Sequence, residues 1–182
     1  MYDVMISGYY GFGNSGDDAI LLAIINNLRI LKKDIRIVVL SKNPKVTASS
    51  YGVDSIDRFN LFKVIGTMKK TKLFLNGGGN LIQDVTSTRS LMYYLTTTYL
   101  AKLMGLKVML YANRIGPVSK SLNRYFTSKV IDKADIITLR EEASSLELKS
   151  LGVTKPEILV TADPALGLEP AGSEEIEIIM QK

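Results

Sequence analysis

Residues 8–18 read G-Y-Y-G-F-G-N-S-G-D-D, and within them Gly11, Gly13 and Gly16 spell G-x-G-x-x-G. The run lies between a short apolar stretch, Val4 to Ile6, and a long one starting at Ala19. A glycine turn leading from a strand into a helix permits close backbone approach. It also aims backbone N–H groups at whatever sits before the helix, which suits a pyrophosphate. Two features weigh against a dinucleotide. Asp17 and Asp18 occupy the positive end of the helix themselves, so a pyrophosphate would meet two negative charges. The next apolar strand, Ile35 to Leu40, ends in Ser41-Lys42-Asn43, without the acid that holds the ribose of a nicotinamide cofactor. Two readings stay open: a loop that holds a polyhydroxyl or sugar-like ligand through Gly11, Gly13, Asn14, Gly16 and Asp17, and a purely structural glycine turn capped by Asp17.

Other residues with chemical potential fall at the ends of later apolar runs. Gly77, Gly78 and Gly79 follow the strand-like Lys72 to Asn76, where their N–H groups can form an anion- or hydroxyl-binding nest. Close packing of this loop on a neighbouring helix is the alternative. Gln83, Asp84 and Arg89 come just after, a polar set beside the glycines. Arg140 ends the run Asp135 to Leu139, apt either to clamp a phosphate or carboxylate or to pair with Glu141 or Glu142. Asp163 follows the short run Ile158 to Val160.

The composition removes several chemistries. The 182 residues include no Cys and no His, which excludes disulfides, thiolate nucleophiles, Cys- or His-ligated metals and His-based acid–base pairs from this chain. Proton transfer falls to carboxylates, Lys or Tyr. No metal site is expected, and no bound cofactor. The net charge of +5 is carried by scattered lysines and arginines, which gives no nucleic-acid footprint. With 46% hydrophobic and 23% charged residues the chain reads as globular. Met1-Tyr2-Asp3 runs straight into a strand, so no signal peptide is expected. The apolar stretch Leu91 to Ala112 is interrupted by Lys102, Gly105 and Lys107, short of the roughly 18 residues needed to span a bilayer. A cytoplasmic protein is the expectation.

These residues need a scaffold that gathers strand ends on one edge. Strand-like runs alternate with helical patterns along the chain, which predicts an α/β fold with a doubly wound, mainly parallel, Rossmann-like sheet. Ile20, Ile24, Leu28 and Leu31 form one helical stripe, and Leu61, Val64, Ile65 and Met68 another. Residues 41–58 read as polar and turn-rich. Ser90 to Met104 is apolar on nearly all faces and is expected to be buried. Six strands are predicted, the others being Lys107 to Ala112, Asp135 to Leu139 and Ile158 to Val160. A helix containing Leu146 to Leu151 should stop at Gly152. Residues 1–163 are expected to form one domain. Residues 164–182, rich in Pro and Gly and then helical over Glu174 to Gln181, are expected to be a linker into the start of a missing C-terminal half.

The ordered motifs S-G-Y-Y-G-F-G-N-S-G-D-D-A-I (7–20), N-G-G-G-N-L-I-Q-D-V-T-S-T-R-S (76–90), Y-A-N-R-I-G-P (111–117), D-I-I-T-L-R-E (135–141) and T-A-D-P-A (161–165) resemble those of the polysaccharide pyruvyl transferases, in particular the CsaB-type cell-wall branch. The resemblance implies transfer of pyruvyl from phosphoenolpyruvate to two hydroxyls of a sugar as a cyclic ketal, with release of phosphate. In the cell-wall branch it implies an N-acetylmannosamine acceptor in a lipid-linked or polymeric glycan, whose pyruvylated form anchors surface-layer proteins. Phosphoenolpyruvate is then a donor substrate rather than a cofactor. A lipid-linked acceptor implies contact with the inner face of the membrane, while homo-oligomer formation stays open. The fold implied is similar to the N-terminal domain of two-domain GT-B glycosyltransferases. In that setting Arg140 and Arg89 are the cationic candidates, Asp17, Asp84 and Asp163 the carboxylates, and this chain alone is not expected to turn over.

One departure from the family pattern spans two positions: Asn113-Arg114 stands where Gln-Gly usually precedes Ile-Gly-Pro. An arginine there either blocks close backbone approach or supplies a new anion contact. Two further readings compete with pyruvyl transfer, a GT-B-type glycosyltransferase half and a non-catalytic glycan-binding module.

Overall fold

Among the described residues all seven strands run parallel. The computed structural model describes residues 1–169. Its elements alternate as β1 (Tyr2–Ser7), α1 (Ser15–Leu31), β2 (Ile37–Ser41), α2 (Pro44–Tyr51), β3 (Asp54–Asp57), α3 (Leu61–Met68), β4 (Thr71–Ile82), α4 (Thr88–Leu103), β5 (Lys107–Ile115), α5 (Ser121–Ile131), β6 (Ile136–Leu139), α6 (Glu142–Ser150) and β7 (Glu157–Val160), followed by a 3-10 turn, Pro164–Gly167. The sheet order is β3-β2-β1-β4-β5-β6-β7, the doubly wound arrangement expected. The chain winds one way from β1 to β3 and the other way from β4 onward. A crevice therefore opens between the carboxyl ends of β1 and β4.

Alternation along β1 separates two cores. Val4 and Ile6 pack with Ile20, Leu21, Ile24 and Ile25 of α1 on one face. Met5 faces the other, with Phe74, Leu91, Tyr94 and Leu95. Period-2 side chains on a strand covered on both sides produce this division.

The structure departs from the sequence expectation in several places. The described residues contain seven strands, not six. The polar stretch 41–58 contains α2 and the edge strand β3, whose pairing of Leu40 with Ile56 supplies order that D-S-I-D does not advertise. An edge strand pairs on one side only, so it needs little apolar content. β4 does not end at Asn76 but continues through the three glycines to Ile82, because Gly77 and Gly79 pair with Tyr111 and Asn113 of β5. β5 likewise extends to Ile115. Glycine is a poor strand former, and only the neighbouring strand holds it here. α1 begins at Ser15, ahead of the first apolar residue. α4 is buried on one side only: Leu91, Tyr94 and Leu95 are covered, whereas Leu103 is 64% exposed and lines a groove with Tyr125 and Phe126 of α5. Of the stretch expected to be a linker, Pro164–Gly167 is the 3-10 turn, with Ala165 packed on the α1 core. The expected helix Glu174 to Gln181 lies outside the described residues.

Asp135, just before β6, ties the lower end of the sheet together. Its carboxylate accepts from Lys102 Nζ at 2.7 Å, Lys107 Nζ at 3.2 Å and the Val108 N–H at 2.8 Å. Partial burial pushes the carboxyl upward, but these three donors outweigh it and hold the group down at about 2. The unfolded value is near 3.9. The stabilisation is therefore complete above about pH 4 and is lost as pH falls from there through about 2. In urea titrations Asp135→Asn should lower the midpoint at pH 6 and leave little difference from the parent near pH 2. An equal deficit at both values would mean that packing, not charge, accounts for it.

Candidate functional site

The first turn of α1 is built by Asn14. Its side chain accepts from the N–H groups of Gly16 at 3.0 Å and Asp17 at 3.1 Å. The cap is thus Asn14, not Asp17. A short amide side chain satisfies these otherwise unpaired helix donors, and this frees the Asp17 carboxylate to face the crevice between β1 and β4. Gly79 sits opposite at φ +77, and a Cβ there would stand 3.0 Å from Asp17 Oδ1. β4 passes this close because the residue is glycine.

The other wall comes from the far side of the sheet. Arg140, at the end of β6, pairs through Nη1 with Asp163 Oδ2. Asp163 in turn accepts from the Ala165 N–H at 3.0 Å and so starts the 3-10 turn. Arg140 pairs with neither Glu141 nor Glu142. Glu141 instead takes Arg114, with Nε to Oε1 at 3.0 Å, so Arg114 is held along the surface by an ion pair. Between the two walls lies a cleft of about 310 Å³, bringing together Asn14, Gly16, Asp17, Gly79, Arg140 and Asp163, with Asn80 added.

Electrostatically this cleft is unusual. Burial, helped by the neighbouring Asp18, pushes the Asp17 carboxyl up to about 6, and Arg140 offsets only part of the rise. A carboxyl at that value exchanges a proton readily near neutral pH. Two carboxylates, Asp17 and Asp163, face one guanidinium. The inner surface therefore suits hydroxyl donors better than a multiply charged anion.

The remaining sequence candidates lie elsewhere. Gly11, at φ +78, lets the loop pass the end of β2: a Cβ would stand 2.2 Å from Ser41 Oγ. Gly13 is at φ +75 with open space around it. Gly77 and Gly78 press on α1 and Tyr10; a Cβ on Gly77 would stand 2.6 Å from the Tyr10 hydroxyl, which donates to Gly77 O at 3.1 Å. Their N–H groups belong to a strand rather than to a nest, and the helix-packing alternative holds for both. Gln83 closes a local turn with Thr86, both ends of its amide engaged. Asp84 starts α5, accepting from the N–H groups of Ser119 at 2.9 Å and Lys120 at 3.0 Å and from Asn123 Nδ2 at 2.8 Å. Desolvation raises its carboxyl, but these donors prevail and hold it below the usual range. It is 6% exposed and has a structural task. Arg89 lines a different cleft, with Arg58, Tyr9, Phe12 and Tyr93. Sequence reasoning missed Asn80 and Arg58. Arg58 carries no local signal, because its partners come from three separate segments.

The chain matches the family model described as polysaccharide pyruvyl transferase over residues 14–178. It belongs to that family. No curated protein matches its sequence. Among solved structures, this pyruvyl transferase family domain is similar to HepE of Anabaena in complex with UDP and glucose, with a TM-score of 0.63 at 12% identity, covering 100% of this chain and 50% of that one. The same protein in complex with UDP-glucose gives 0.62 at 13% identity, covering 100% and 49%. A glycosyltransferase from Rickettsia africae gives 0.56 at 12% identity, covering 99% and 49%. The chain thus spans about half the length of these structures, and at such identity the likeness is one of fold: a Rossmann-like half of the GT-B kind. Among the described residues no helix is long and apolar enough to cross a membrane, and no His, Cys, Asp and Glu cluster is suited to a metal.

Proposed function

We propose that this domain is the half of a pyruvyl transferase that positions a sugar diol of a cell-wall polysaccharide, N-acetylmannosamine being the residue type inferred from the sequence resemblance, for ketal formation with phosphoenolpyruvate. One observation carries the reading: Asp17, raised to about 6, stands in the switch-point cleft with Arg140 and Asp163. The sugar hydroxyls donate to Asp17 and Asp163. Asp17 takes the proton of the attacking hydroxyl as its oxygen adds to C2 of the donor, and later returns it to solvent, while a proton drawn from solvent joins the vinyl methylene to make the methyl group. The second hydroxyl then closes the ring by displacing phosphate, and its proton leaves with the phosphate. Arg140, on the wall opposite Asp17, contacts the donor carboxylate. In this reading further cations that bind the donor's phosphate come from a second half, as in a GT-B cleft, and this chain alone does not turn over.

Calorimetric titration of the 182-residue chain with phosphoenolpyruvate tests the assignment. Weak binding is expected, reduced by about 10- to 100-fold on Arg140→Ala, the usual worth of a charged hydrogen bond. Binding unchanged by the substitution would remove Arg140 as a donor contact. A glycosyltransferase half would instead release nucleotide from a sugar nucleotide once both halves are present, and a binding module would consume neither donor.

A further inference from the structure

The loop between β1 and α1 walls two clefts. Its Asn14, Gly16 and Asp17 side faces Arg140. Its Tyr9 and Phe12 side faces a second cleft, of about 460 Å³, lined also by Arg58, Ser87, Arg89 and Tyr93. Arg58 is only 6% exposed, and its Nε is buried with no hydrogen-bond partner. Nη1 donates to Gly8 O at 2.8 Å, and no carboxylate pairs with the guanidinium among the described residues. Its position is fixed from both sides of the backbone: its N–H donates to Ser41 O at 3.0 Å, and its carbonyl accepts from the Tyr93 hydroxyl at 3.2 Å. Burying an unpaired charge is costly. The guanidinium lies 4.2 Å from the Tyr93 ring and 5.3 Å from that of Phe12, and such ring faces offset a part of that cost.

An anion would offset the rest. Arg89 stands exposed in the first turn of α4, which carries no acidic residue, unlike the first turn of α1 with Asp17 and Asp18. The positive end of this 16-residue helix, capped by the Ser87 hydroxyl on the Ser90 N–H at 3.3 Å, therefore faces the cleft without an acidic side chain in its first turn. No acidic side chain lines it. At the rim, Tyr9 and Phe12 stack on each other with centroids 4.1 Å apart and planes within 5°, about 40% and 39% exposed, forming a flat apolar plate. Ser87 and Ser90 provide hydroxyls nearby rather than the amides that would read a base edge.

We propose that this second cleft binds a sugar phosphate, with the phosphate on Arg58 and Arg89 at the start of α4 and the sugar ring against the Tyr9–Phe12 plate. This deepens the polysaccharide reading, since a phosphate-bearing sugar is the end by which a glycan under construction is carried. The second cleft does not include Arg140, so binding there that is unaffected by Arg140→Ala stands or fails apart from the donor assignment.

The 182-residue chain would be titrated separately with glucose 1-phosphate, inorganic phosphate, glucose, UMP and phosphatidylglycerol vesicles. Glucose 1-phosphate is expected to bind at least about tenfold tighter than phosphate or glucose, because ring and anion contacts add. Arg89→Gln and Phe12→Ala, both at exposed positions, should each weaken it by about tenfold. Arg58→Gln should abolish it; should that variant fail to fold, the two exposed substitutions carry the test. Arg140→Ala should change this affinity by less than about twofold, since the sites share no partners. A prenyl diphosphate-linked glucose binding tighter than glucose 1-phosphate would assign the ligand to a lipid carrier, and equal affinity would assign it to a free sugar phosphate. Preference for UMP, no preference over inorganic phosphate, binding to vesicles alone, or loss of binding with Arg140→Ala would each overturn the proposal.

Discussion

Asp17→Asn is expected to slow the proposed pyruvyl transfer by about 10²- to 10⁴-fold, the usual contribution of a positioned proton-transfer group, while making the fold more stable at neutral pH. The two effects share one cause. Burial and Asp18 hold the Asp17 carboxyl at about 6, above its unfolded value near 3.9. A raised carboxyl means that the folded state keeps its proton longer. Its stability therefore falls as pH rises from about 4 through 6 and stays lower above that. Asparagine has no charge to bury. It should recover about 1 kcal/mol at pH 7–8, after allowance for solvent screening of a half-exposed group, and nothing below pH 4. Asp18 remains to meet the helix dipole, so that contribution is largely kept. Turnover measured with both halves present, beside thermal melting at pH 4 and pH 7.5, checks both parts. A variant that gains stability but keeps its rate would leave Asp17 a buried charge without a catalytic role.

The largest loss of stability should come from one added methyl group. Gly78→Ala places a Cβ 2.2 Å from Ile20 Cγ2 and forces an L side chain to φ +43. Ile20 is β-branched, within α1 and 6% exposed, so it has little freedom to turn away. Overpacking and the left-handed backbone together should cost about 2–4 kcal/mol, a large part of a typical domain's total of about 5–15 kcal/mol. The midpoint of urea unfolding should drop accordingly. A loss below about 0.5 kcal/mol would mean that α1 slides freely on β4, and the crevice holding Asp17 would then be soft rather than fixed. Gly13→Ala is the matched control, since it has the same sign of φ and open space around it.

How much of this was legible beforehand differs from residue to residue. Asn14, Gly16, Asp17, Arg140 and Asp163 each stand at the end of a strand or the start of a helix, and a parallel sheet brings all such ends to one edge. Their meeting therefore followed from alternation alone. Asp84 and Gln83 satisfied the same positional criterion and yet serve the chain's own turns, because hydrogen-bonding side chains near loops compete for backbone donors first. No spacing rule separates the two cases. Gly77 and Gly78 looked like a ligand loop and proved to be the close contact between β4 and α1.

What the sequence by itself determined is the class of fold, the sheet edge on which the candidate site sits, the lack of Cys and His in this chain, and, through its ordered motifs, the family. The first three depend on residue type and local periodicity and the last on motif order, all of which the chain carries in linear form. Tertiary structure alone decided that Asp17 rather than Asp84 faces the crevice, that Arg140 is held by Asp163, and that β3 and the extension of β4 exist at all. It also placed Arg58 among rings from the β1–α1 loop and from α4. Each of these depends on groups distant in sequence, whose burial, electrostatic surroundings and pairing exist only once the sheet has formed.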